Sequence, residues 1–503
     1  MGREEQIIGE RLRKIEELKK EGINPYPHSF SKEDSLEDCL KKKKGSKIKT
    51  AGRLMTSRDL GKIAFARLRD SSGEMQIVFQ DGEGLTPKRD FELFKKYIDS
   101  GDFVGVTGSI FETKTGELSI LVDKIELLSK SILPLPAKWH GLQDKEERYR
   151  RRYLDLMMNP DVKAVFDKRE KILEVIREFL KKRNFQEVET PYMQTIYGGA
   201  SAKPFKTHLN ALDVDLFMAI SPELYLKRLI VGGYERVFTI ARNFRNEGID
   251  RWHNPEFTMM EIYQAYADYN DMMELFESLY EYVAKKVNGS TKIQYKGKVV
   301  DFKAPWKRMT MAQAIKKWAK IDVDKMSDKE LKKFIDENHV PAKGDSWGLY
   351  VQSIFEHFCE EKIEQPTHII DHPLETTPLC KMHRKDKLCR LIERFEPFCM
   401  GTELGNCYSE LNDPIIQREL LEAQQRELSE GNDEANPLDE DFINAIEYGM
   451  PPTGGLGLGI DRMAILLTEQ ESIRDVILFP FMRPEIKGNE GTKESNKKEA
   501  KKK

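Results

Sequence analysis

The segment FRNEGIDRWHNPEF places charged side chains between two phenylalanines. The flanking stretches YERVFTIARNF and EFTMMEIYQAY alternate apolar and polar residues, which predicts two strands of an antiparallel hairpin joined by a polar loop. Side chains two residues apart share a strand face, so Arg245 and Glu247 should share one face of the first strand. On the second strand the same rule groups Phe257, Glu261 and Tyr263. Arg245 suits a phosphate because its planar guanidinium donates two parallel hydrogen bonds; a merely solvated charged loop is the alternative.

A second acidic region is ERFEPFCMGTELGNCYSELND, residues 393–413. A turn at Met400-Gly401 would bring Glu396 and Glu403 close together on neighbouring strands. Close carboxylates repel each other unless a cation lies between them, and oxygen ligands beside a nucleotide suit Mg²⁺. Two acids on a solvated sheet edge are the alternative.

Beyond that turn, Asn406, Tyr408 and Glu410 alternate onto one strand face. Together with Glu261 and Tyr263 of the first hairpin, they would form a pocket whose acids favour an ammonium group.

The run GGLGLGIDRMAILL, residues 454–467, is rich in glycine and leads into an apolar helix. A ligand could therefore approach the backbone closely at the helix N-terminus, where Arg462 could bind a terminal phosphate. The glycines do not match the GxGxxG dinucleotide fingerprint, and the sequence contains no GxxxxGK[ST] phosphate loop. Glycines that serve helix packing alone are the alternative.

Short alternating segments between residues 47 and 130, separated by SRDLG, SSG and KTGE, predict a small closed five-stranded β-barrel. Barrels of this type commonly bind single-stranded nucleic acid on one face. Phe65 could stack on a base and Gln76 could read its edge, or both could be packing or surface residues.

Composition limits the class of protein. A chain of 503 residues predicts two or more domains. A net charge of -3, from 82 basic and 85 acidic residues, argues against a generally cationic nucleic-acid-binding surface. The six cysteines form no CxxC pair, so neither a zinc site nor a disulfide framework is predicted. The absence of a long apolar run or a signal peptide predicts a cytoplasmic protein without a membrane contact.

Pattern and composition also predict the domain boundaries. We expect an N-terminal helical extension over 1–46 with an exposed amphipathic helix, the barrel over 47–130, a proline-rich and then charged linker over 131–160, a larger α+β domain over 161–485 with a helical insertion near 310–365, and a disordered basic tail over 486–503.

These motifs, in this order, resemble those of the class II aminoacyl-tRNA synthetases. Three segments are similar to motifs 1, 2 and 3 of that family: the ETP strand after a long helix, FRNE with HNPEF, and GLGLGIDR, respectively. Five further segments resemble the lysine-specific branch of that family: GINPYP, PLPAKWHGLQDKEERYRRRYLDL, YGGASAKPF, SPELYLKRL and ELGNCYSELND. The resemblance covers the chain except for the basic tail. It implies an α+β fold in which an antiparallel-sheet catalytic domain flanked by helices follows an OB-fold, and it implies a homodimer.

The resemblance also implies a reaction and its residues. L-lysine would be joined to tRNA(Lys) through a lysyl-adenylate, with ATP as substrate and Mg²⁺ as cofactor. Arg245, at the α-phosphate and the lysine carboxylate, and Arg462, at the γ-phosphate, would be catalytic. The other implied ATP-binding residues are Glu247, His253, Asn254, Phe257, which would stack on adenine, Glu403, Leu404 and Gly459; Glu396 and Glu403 would bind Mg²⁺. The implied lysine-binding residues are Gly199, Glu223, Glu261, Tyr263, Asn406, Tyr408 (phenylalanine in many relatives), Glu410 and Gly457. Arg58, Phe65, Gln76 and Glu117 would bind the anticodon.

Three alternatives stay open at this point. An aspartyl or asparaginyl synthetase shares the barrel and the motifs, but an acid at Glu410 would repel a substrate carboxylate, and those relatives read SPQ where this chain has Ser221-Pro222-Glu223. A catalytically inactive RNA-binding or signalling paralogue could retain the same fold. A shortened relative that lysylates a protein would lack the barrel.

Overall fold

The computed structural model describes residues 2–83, 85–136 and 142–485. The chain divides into two compact units, Met1–Gly141 and Leu142–Lys503. No helix in the described residues is long and apolar enough to cross a membrane. The basic tail predicted over 486–503 and part of the predicted linker, 137–141, lie outside the described residues.

The first unit contains the predicted barrel. Its strands are β1 (Lys47–Asp59), β2 (Ile63–Arg69), β3 (Glu74–Gln80), β4 (Phe103–Glu112) and β5 (Leu118–Ser129). They close in the order β1-β2-β3-β5-β4, with β3 and β5 parallel and the other pairs antiparallel. Alternate side chains point inward, so Ala64, Ala66 and Leu68 of β2 are buried while Phe65 and Arg67 face outward.

Among the described residues, three helices accompany the barrel: α1 (Arg3–Lys20), α2 (Leu36–Lys41) and α3 (Lys88–Tyr97). The helix predicted near the N-terminus is present, but it is not a free surface helix, because Leu18 packs into the barrel core. Arg11 is buried as well and donates hydrogen bonds to the carbonyl oxygens of Ser100, Ser131 and Leu133. The alternating pattern did not predict α3, whose Phe94 stacks on Phe79 with the ring centres 4.1 Å apart.

Among the described residues, the second unit combines helices with three sheets. Its helices are α4 (Lys145–Arg150), α5 (Arg152–Met158), α6 (Pro160–Lys181), α7 (Glu223–Val231), α8 (Tyr269–Asn288), α9 (Met311–Trp318), α10 (Asp328–Glu337), α11 (Trp347–Phe358), α12 (Pro414–Ser429), α13 (Glu440–Glu447), α14 (Ile460–Leu467) and α15 (Ile473–Val476), with 3₁₀ turns at Val323–Lys325, Glu360–Lys362 and Leu374–Thr376. Its strands are β6 (Gln186–Glu187), β7 (Met193–Gln194), β8 (Lys206–Leu209), β9 (Val214–Met218), β10 (Arg236–Phe244), β11 (Glu256–Ala265), β12 (Lys292–Tyr295), β13 (Lys298–Asp301), β14 (Lys307–Thr310), β15 (Thr367–Pro373), β16 (Leu391–Cys399), β17 (Thr402–Glu403), β18 (Gly405–Ser409) and β19 (Thr453–Gly459). The large sheet carries the site, and β7-β9-β8 and β12-β13 form separate small sheets.

The large sheet has the order β14-β15-β16-β18-β19-β11-β10-β6, with β17 beside β16. Its central pairs are antiparallel, and its end pairs, β14 with β15 and β10 with β6, are parallel. Met260 and Ile262 of β11 face a large core formed with α6, α8 and α14. Glu261 and Tyr263 alternate with them and therefore face the other side, near α7. One face of the sheet thus packs on the large core, and the other packs against α7 and α13 and also carries Glu261 and Tyr263.

The structure corrects two expectations about chain segments. The linker predicted over 131–160 is folded after residue 142: α4 and α5 belong to the second unit, and the buried Arg152 donates hydrogen bonds to the carbonyl oxygens of Arg474 and Leu478. The many charged residues of this segment predicted that it is exposed to solvent. A guanidinium can nevertheless be buried when its N–H groups donate to several carbonyl oxygens. The strand predicted through Glu247 ends at Phe244, so Arg245 and Glu247 lie in the loop beyond β10 rather than on a shared strand face.

Candidate active site

The floor of the candidate site is β19, the strand between β11 and β18. Its glycines pair with site residues on both neighbours: Gly457 with Glu261 and Asn406, and Gly455 with Tyr263 and Tyr408. A Cβ atom on Gly455 would overlap Glu410 Oε1. Glycine at this position therefore leaves the space that the Glu410 carboxylate occupies.

One wall is built from α7 and the segment before it. Ser221 donates a hydrogen bond from Oγ to Glu261 Oε1 at 2.8 Å and accepts one from the Glu223 backbone N–H at 3.1 Å. Gly199 has φ +86°, and a Cβ there would lie 2.8 Å from Ser221 Oγ. The structure thus brings Gly199, Glu223 and Glu261 together, as the predicted lysine-binding set requires.

The far end of the pocket is strongly acidic. Glu410 has a fully buried side chain, and its Oε1 has no hydrogen-bond partner among the described residues. Burial, opposed in part by Lys227, raises the pKa of Glu410 to about 8. Burial and the neighbouring Glu223 likewise raise the pKa of Glu261 to about 8. Such carboxyl groups are satisfied when a cation enters beside them.

Arg394 connects the amino-acid pocket to the acidic hairpin. It donates a hydrogen bond from Nε to Asn406 Oδ1 at 2.9 Å and forms an ion pair with Glu396 through Nη2. Asn406 in turn donates from Nδ2 to the Tyr408 hydroxyl. Buried ion pairs of this kind fix side-chain positions, so Arg394 orients both Asn406 and Glu396.

The predicted turn at Met400-Gly401 is present between β16 and β17, with φ +52° and +69°. Glu403 pairs with Phe398, two residues from Glu396, so both acids lie on the same sheet face. No cluster of three or more His, Cys, Asp or Glu side chains in the described residues could hold a metal alone. Two carboxylates fit Mg²⁺ that is bound together with substrate phosphates and water, which is its usual coordination beside ATP.

Arg245 lies where the hairpin loop begins. Its backbone N–H donates to Pro255 O at 2.9 Å, and its guanidinium carbon lies 5.1 Å from the centre of the Phe257 ring. Among the described residues, the guanidinium makes only long hydrogen bonds, to Ile220 O at 3.4 and 3.5 Å and to Met259 Sδ at 3.9 Å. Burial lowers the pKa of Arg245. Its hydrogen bonds in the described chain go to no carboxylate, which leaves its donors suited to an anionic ligand.

Arg462 lies at the start of α14, close to Glu403 and His253. It donates from Nη1 to Glu403 O at 2.8 Å and to Glu403 Oε2 at 3.1 Å, and its Nη2 lies 3.3 Å from His253 Nε2. Asp250, for which the sequence indicated no role, holds His253 from the other side at 2.9 Å. Four side chains from three separate segments therefore meet at this end of the site.

The remaining predicted nucleotide residues are less available. Asn254 donates to Glu256 O and accepts from the Phe481 N–H, so one donor and one acceptor of its amide are engaged within the protein. Leu404 has its side chain in the core, and both of its backbone groups pair with other strands. Glu247 is exposed in the loop, and Gly459 forms the junction between β19 and α14.

On the barrel, three of the four predicted anticodon residues lie on neighbouring strands, and the fourth, Glu117, immediately precedes β5. Arg58 pairs with Phe65 across β1 and β2, and Gln76 on β3 donates to Ser119 Oγ at 2.9 Å. Glu117 forms an ion pair with Arg67 at 2.5 Å, and Arg67 pairs in register with Gln76. Arg67, which the sequence analysis did not select, thus belongs to the same outward face.

Several residues that shape the site were missed from the sequence: Ser221, Lys227, Arg394, Gly455 and Asp461. Asp461 accepts from the Thr258 N–H at 2.7 Å and from Arg169 Nη2 at 2.7 Å, which anchors α14 to β11 and α6. The only sequence signal for Lys227 was its position four residues after Glu223 on a helix. Gly455 and Asp461 lie in the glycine-rich run GGLGLGIDRMAILL, whereas Ser221 and Arg394 become recognisable only through their contacts with predicted residues.

Comparison with known proteins agrees with this geometry. The family model of class II tRNA synthetases (D, K and N) matches residues 144–483, and that of the OB-fold nucleic acid binding domain matches residues 48–128. The chain is 48% identical over 488 residues to a lysine–tRNA ligase of Clostridium novyi, covering 95% of this chain and 94% of the relative. It is 47% identical over 492 residues to a lysine–tRNA ligase of Methanoculleus marisnigri, covering 96% of each. It is also 48% identical over 485 residues to a lysine–tRNA ligase of Carboxydothermus hydrogenoformans, covering 95% of this chain and 98% of that one. The chain therefore belongs to the class II tRNA synthetases of the D, K and N group, and within that group to the lysine–tRNA ligases.

Proposed function

We propose that this chain joins L-lysine to tRNA(Lys) in two steps and releases pyrophosphate and AMP. The observation that carries the proposal is the acidic pocket that ends at Glu410, where a fully buried carboxylate oxygen lacks a partner among the described residues. An ammonium at the end of a four-carbon chain satisfies that oxygen, whereas a side-chain carboxylate would meet like charge and a neutral amide would supply no charge to balance it.

The substrate L-lysine can be oriented by its three charged groups. Its α-ammonium fits between Glu223 and Glu261, above Gly199, and its ε-ammonium fits at Glu410 and Tyr263. Its carboxylate is assigned to Arg245 and Asn406. These contacts expose the carboxylate to the nucleotide and hold its oxygen near the phosphate chain, which is the positioning that an in-line displacement requires.

ATP is assigned to the other end of the same face. Phe257 offers an aromatic surface to adenine, Arg245 donates to the α-phosphate, and Arg462 with His253 lies where the outer phosphates would extend. The lysine carboxylate attacks the α-phosphorus, the bond to the pyrophosphate oxygen breaks, and pyrophosphate leaves. The terminal ribose hydroxyl of the tRNA then attacks the lysyl carbonyl, and AMP leaves. No protein nucleophile takes part, so catalysis rests on positioning and on neutralisation of phosphate charge.

Mg²⁺ is assigned to Glu396 and Glu403. When bound, the ion neutralises phosphate charge and orients the phosphate chain for displacement. Arg394 holds Glu396 and Arg462 holds Glu403, so both carboxylates are fixed before a metal arrives.

The outward face of β1, β2 and β3 is assigned to the tRNA anticodon. It presents the Phe65 ring for stacking, and Arg58, Gln76 and Glu117 as polar groups that could read base edges. Replacing Phe65 by alanine should weaken tRNA binding while leaving lysine-dependent pyrophosphate exchange unchanged.

A homodimer is assigned through the small sheet β7-β9-β8 and the segment before it. Large apolar side chains are exposed there, namely Tyr192, Met193, Ile196, Leu212 and Val214. Clustered exposed apolar residues are typical of a protein interface. Sedimentation of the full chain should give a dimer, and an aspartate at Met193 should shift it towards monomer.

The decisive test is ATP–pyrophosphate exchange with each of the twenty amino acids. We expect exchange with L-lysine alone at micromolar to millimolar concentration. Exchange with aspartate or asparagine instead would contradict the assigned specificity. No exchange with any amino acid would favour a non-enzymatic protein. Lysylation of a protein but not of tRNA(Lys) would favour an enzyme that modifies proteins.

A further inference from the structure

The amino-acid pocket contains a charged side chain that the proposed reaction does not use. Lys227 lies on α7, one turn after Glu223, and its side chain is fully buried. Its Nζ lies 2.6 Å from Glu223 Oε1 and 2.5 Å from Glu410 Oε2. The centre of the Phe442 ring lies 6.0 Å from the same ammonium. Lys227 therefore contacts two acids of the pocket without contact to solvent.

A buried ammonium needs a compensating charge. Burial removes it from water at a cost of several kcal/mol, which close carboxylates can offset. Burial alone would lower the pKa of Lys227, but Glu223 and Glu410 raise it above its ordinary value. Lys227 is therefore a cation, held between Glu223 and Glu410.

The two oxygens of Glu410 have different surroundings. Oε2 touches the Lys227 ammonium, although the contact lacks hydrogen-bond alignment. Oε1 lies against Gly455 and has no hydrogen-bond partner among the described residues. One oxygen is thus held by the protein, and the other remains for a ligand.

The charges of the pocket point to a ligand with two cationic groups. Glu223, Glu261 and Glu410 could together carry three negative charges, and Lys227 supplies one positive charge. The α- and ε-ammonium groups of L-lysine supply the two that are missing, and its carboxylate is balanced by Arg245. In the empty pocket, the raised pKa values of Glu261 and Glu410 indicate that protons replace the missing cations.

We propose that Lys227 is a permanent counter-ion of the amino-acid pocket, where it holds Glu410 Oε2 so that Oε1 receives the substrate ε-ammonium. Because Lys227 balances only one of the three carboxylates, the pocket accepts a ligand with two further positive charges. This inference rests on the proposed function, because it takes L-lysine as the ligand. Lys227 is a positioning residue that acts through Glu410 and selects for a dicationic amino acid. An amino acid with an apolar side chain would leave one buried carboxylate without a cation.

The test is a double-mutant cycle in ATP–pyrophosphate exchange with the full chain. The variants are Lys227→Met, Glu410→Gln and the double variant. We expect Lys227→Met to raise the KM for L-lysine roughly tenfold or more and to change the KM for ATP by less than about twofold. In the Glu410→Gln background the same substitution should change the lysine KM by less than about twofold, because the carboxylate through which it acts is gone.

Two outcomes of the cycle overturn the inference. Additive effects on the lysine KM would mean that Lys227 does not act through Glu410. Equal increases in both KM values would mean a general structural role. Wild-type exchange with L-lysine separates these outcomes from a failure of the proposed function, in which the wild type itself would show no exchange.

A crystal structure of the wild-type chain with L-lysine provides a measurement that does not depend on a variant folding. We expect the substrate ε-ammonium on Glu410 Oε1 and Lys227 still on Oε2. A substrate ammonium that displaces Lys227 from Oε2, or that binds away from Glu410, would overturn the inference.

Discussion

The two ends of the candidate site differ in how completely the protein has built them. At the amino-acid end, Glu223, Glu261 and Glu410 are almost fully buried and are held by Ser221 and Lys227. At the nucleotide end, Glu247 and His253 are exposed on a loop. The first end therefore resembles a protein core with fewer cations than acids, and the second resembles a charged surface.

This difference indicates that the two substrates are recognised by different physics. Burial strengthens each charge interaction and penalises each unmatched charge, so a wrong amino acid is rejected strongly. Exposed charges are hydrated and screened, so each contact to the triphosphate contributes less and several must act together. Substitutions should therefore have graded effects, from the buried end to the exposed loop.

The largest effect is expected from Glu410→Gln. Loss of the buried partner of an ammonium should raise the KM for L-lysine roughly 30- to 4,000-fold, with little change in the KM for ATP. Exchange kinetics with each substrate varied in turn measure this. Equal changes in the two KM values would show that Glu410 does not bind the substrate ammonium. The two ends of the site would then not differ in how they recognise their substrates.

A smaller effect is expected from Arg462→Gln. Arg462 is partly exposed, and losing its hydrogen bonds to phosphate should raise the KM for ATP roughly 10- to 150-fold. The lysine KM should stay within a few-fold of wild type in the same exchange assay. A variant that lost affinity for L-lysine instead of ATP would contradict the assignment of Arg462 to the nucleotide end.

Steric space can be compared between the two ends with a matched pair of glycines. Alanine at Gly455 would push against Glu410 Oε1 and should raise the lysine KM roughly 5- to 150-fold. Alanine at Gly248, in the nucleotide loop with nothing within 4 Å, should leave both KM values nearly unchanged. Melting temperatures of both variants check that the fold is retained. A tolerated alanine at Gly455 would mean that the pocket is looser than the structure indicates.

Acidity should affect the amino-acid end through two buried carboxyl groups. Burial raises the pKa of Glu410 and of Glu261 to about 8, so in the empty pocket both hold protons below that pH. Binding of an ammonium favours the ionised form and releases protons. The lysine KM should therefore fall as pH rises from 6 to 8, by about tenfold per pH unit for each proton released. A lysine KM that rises with pH over this range would contradict the proton release.

The smallest effect is expected from Asp250→Asn. The carboxylate of Asp250 and the ring of His253 are both half exposed, and exposed pairs contribute about 0.2–1 kcal/mol. The ATP KM should therefore rise less than about fivefold, and added salt should reduce the difference from wild type. A loss comparable with that of Arg462→Gln would show that the loop is more ordered with ATP bound than without it.

Part of this site could be predicted from local sequence. Strand alternation placed Glu261 with Tyr263, and Asn406 with Tyr408 and Glu410, because a period of two is fixed by backbone geometry. The turn at Met400-Gly401 followed from the same periodicity and is confirmed. The barrel was predicted from short alternating segments and is confirmed as well.

Other expectations were wrong because they depended on contacts distant in sequence. The charged segment after residue 142 was predicted to be a linker, but Arg152 finds carbonyl acceptors more than three hundred residues away. The N-terminal helix was predicted to be exposed, but its Leu18 packs into the barrel core. Neither partner can be inferred from neighbouring residues.

The sequence by itself determined the family, the order of the motifs and the chemical types of the ligands that the acids and arginines suit. Tertiary structure decided which charges are buried, because burial depends on elements that meet only after folding. Lys227 illustrates the difference: in the sequence it is one of many lysines on a helix, and in the fold it lies between Glu223 and Glu410. The interaction energy of an ion pair is larger where water is excluded from around it. Exclusion of water depends on how the elements pack and not on the composition of the chain.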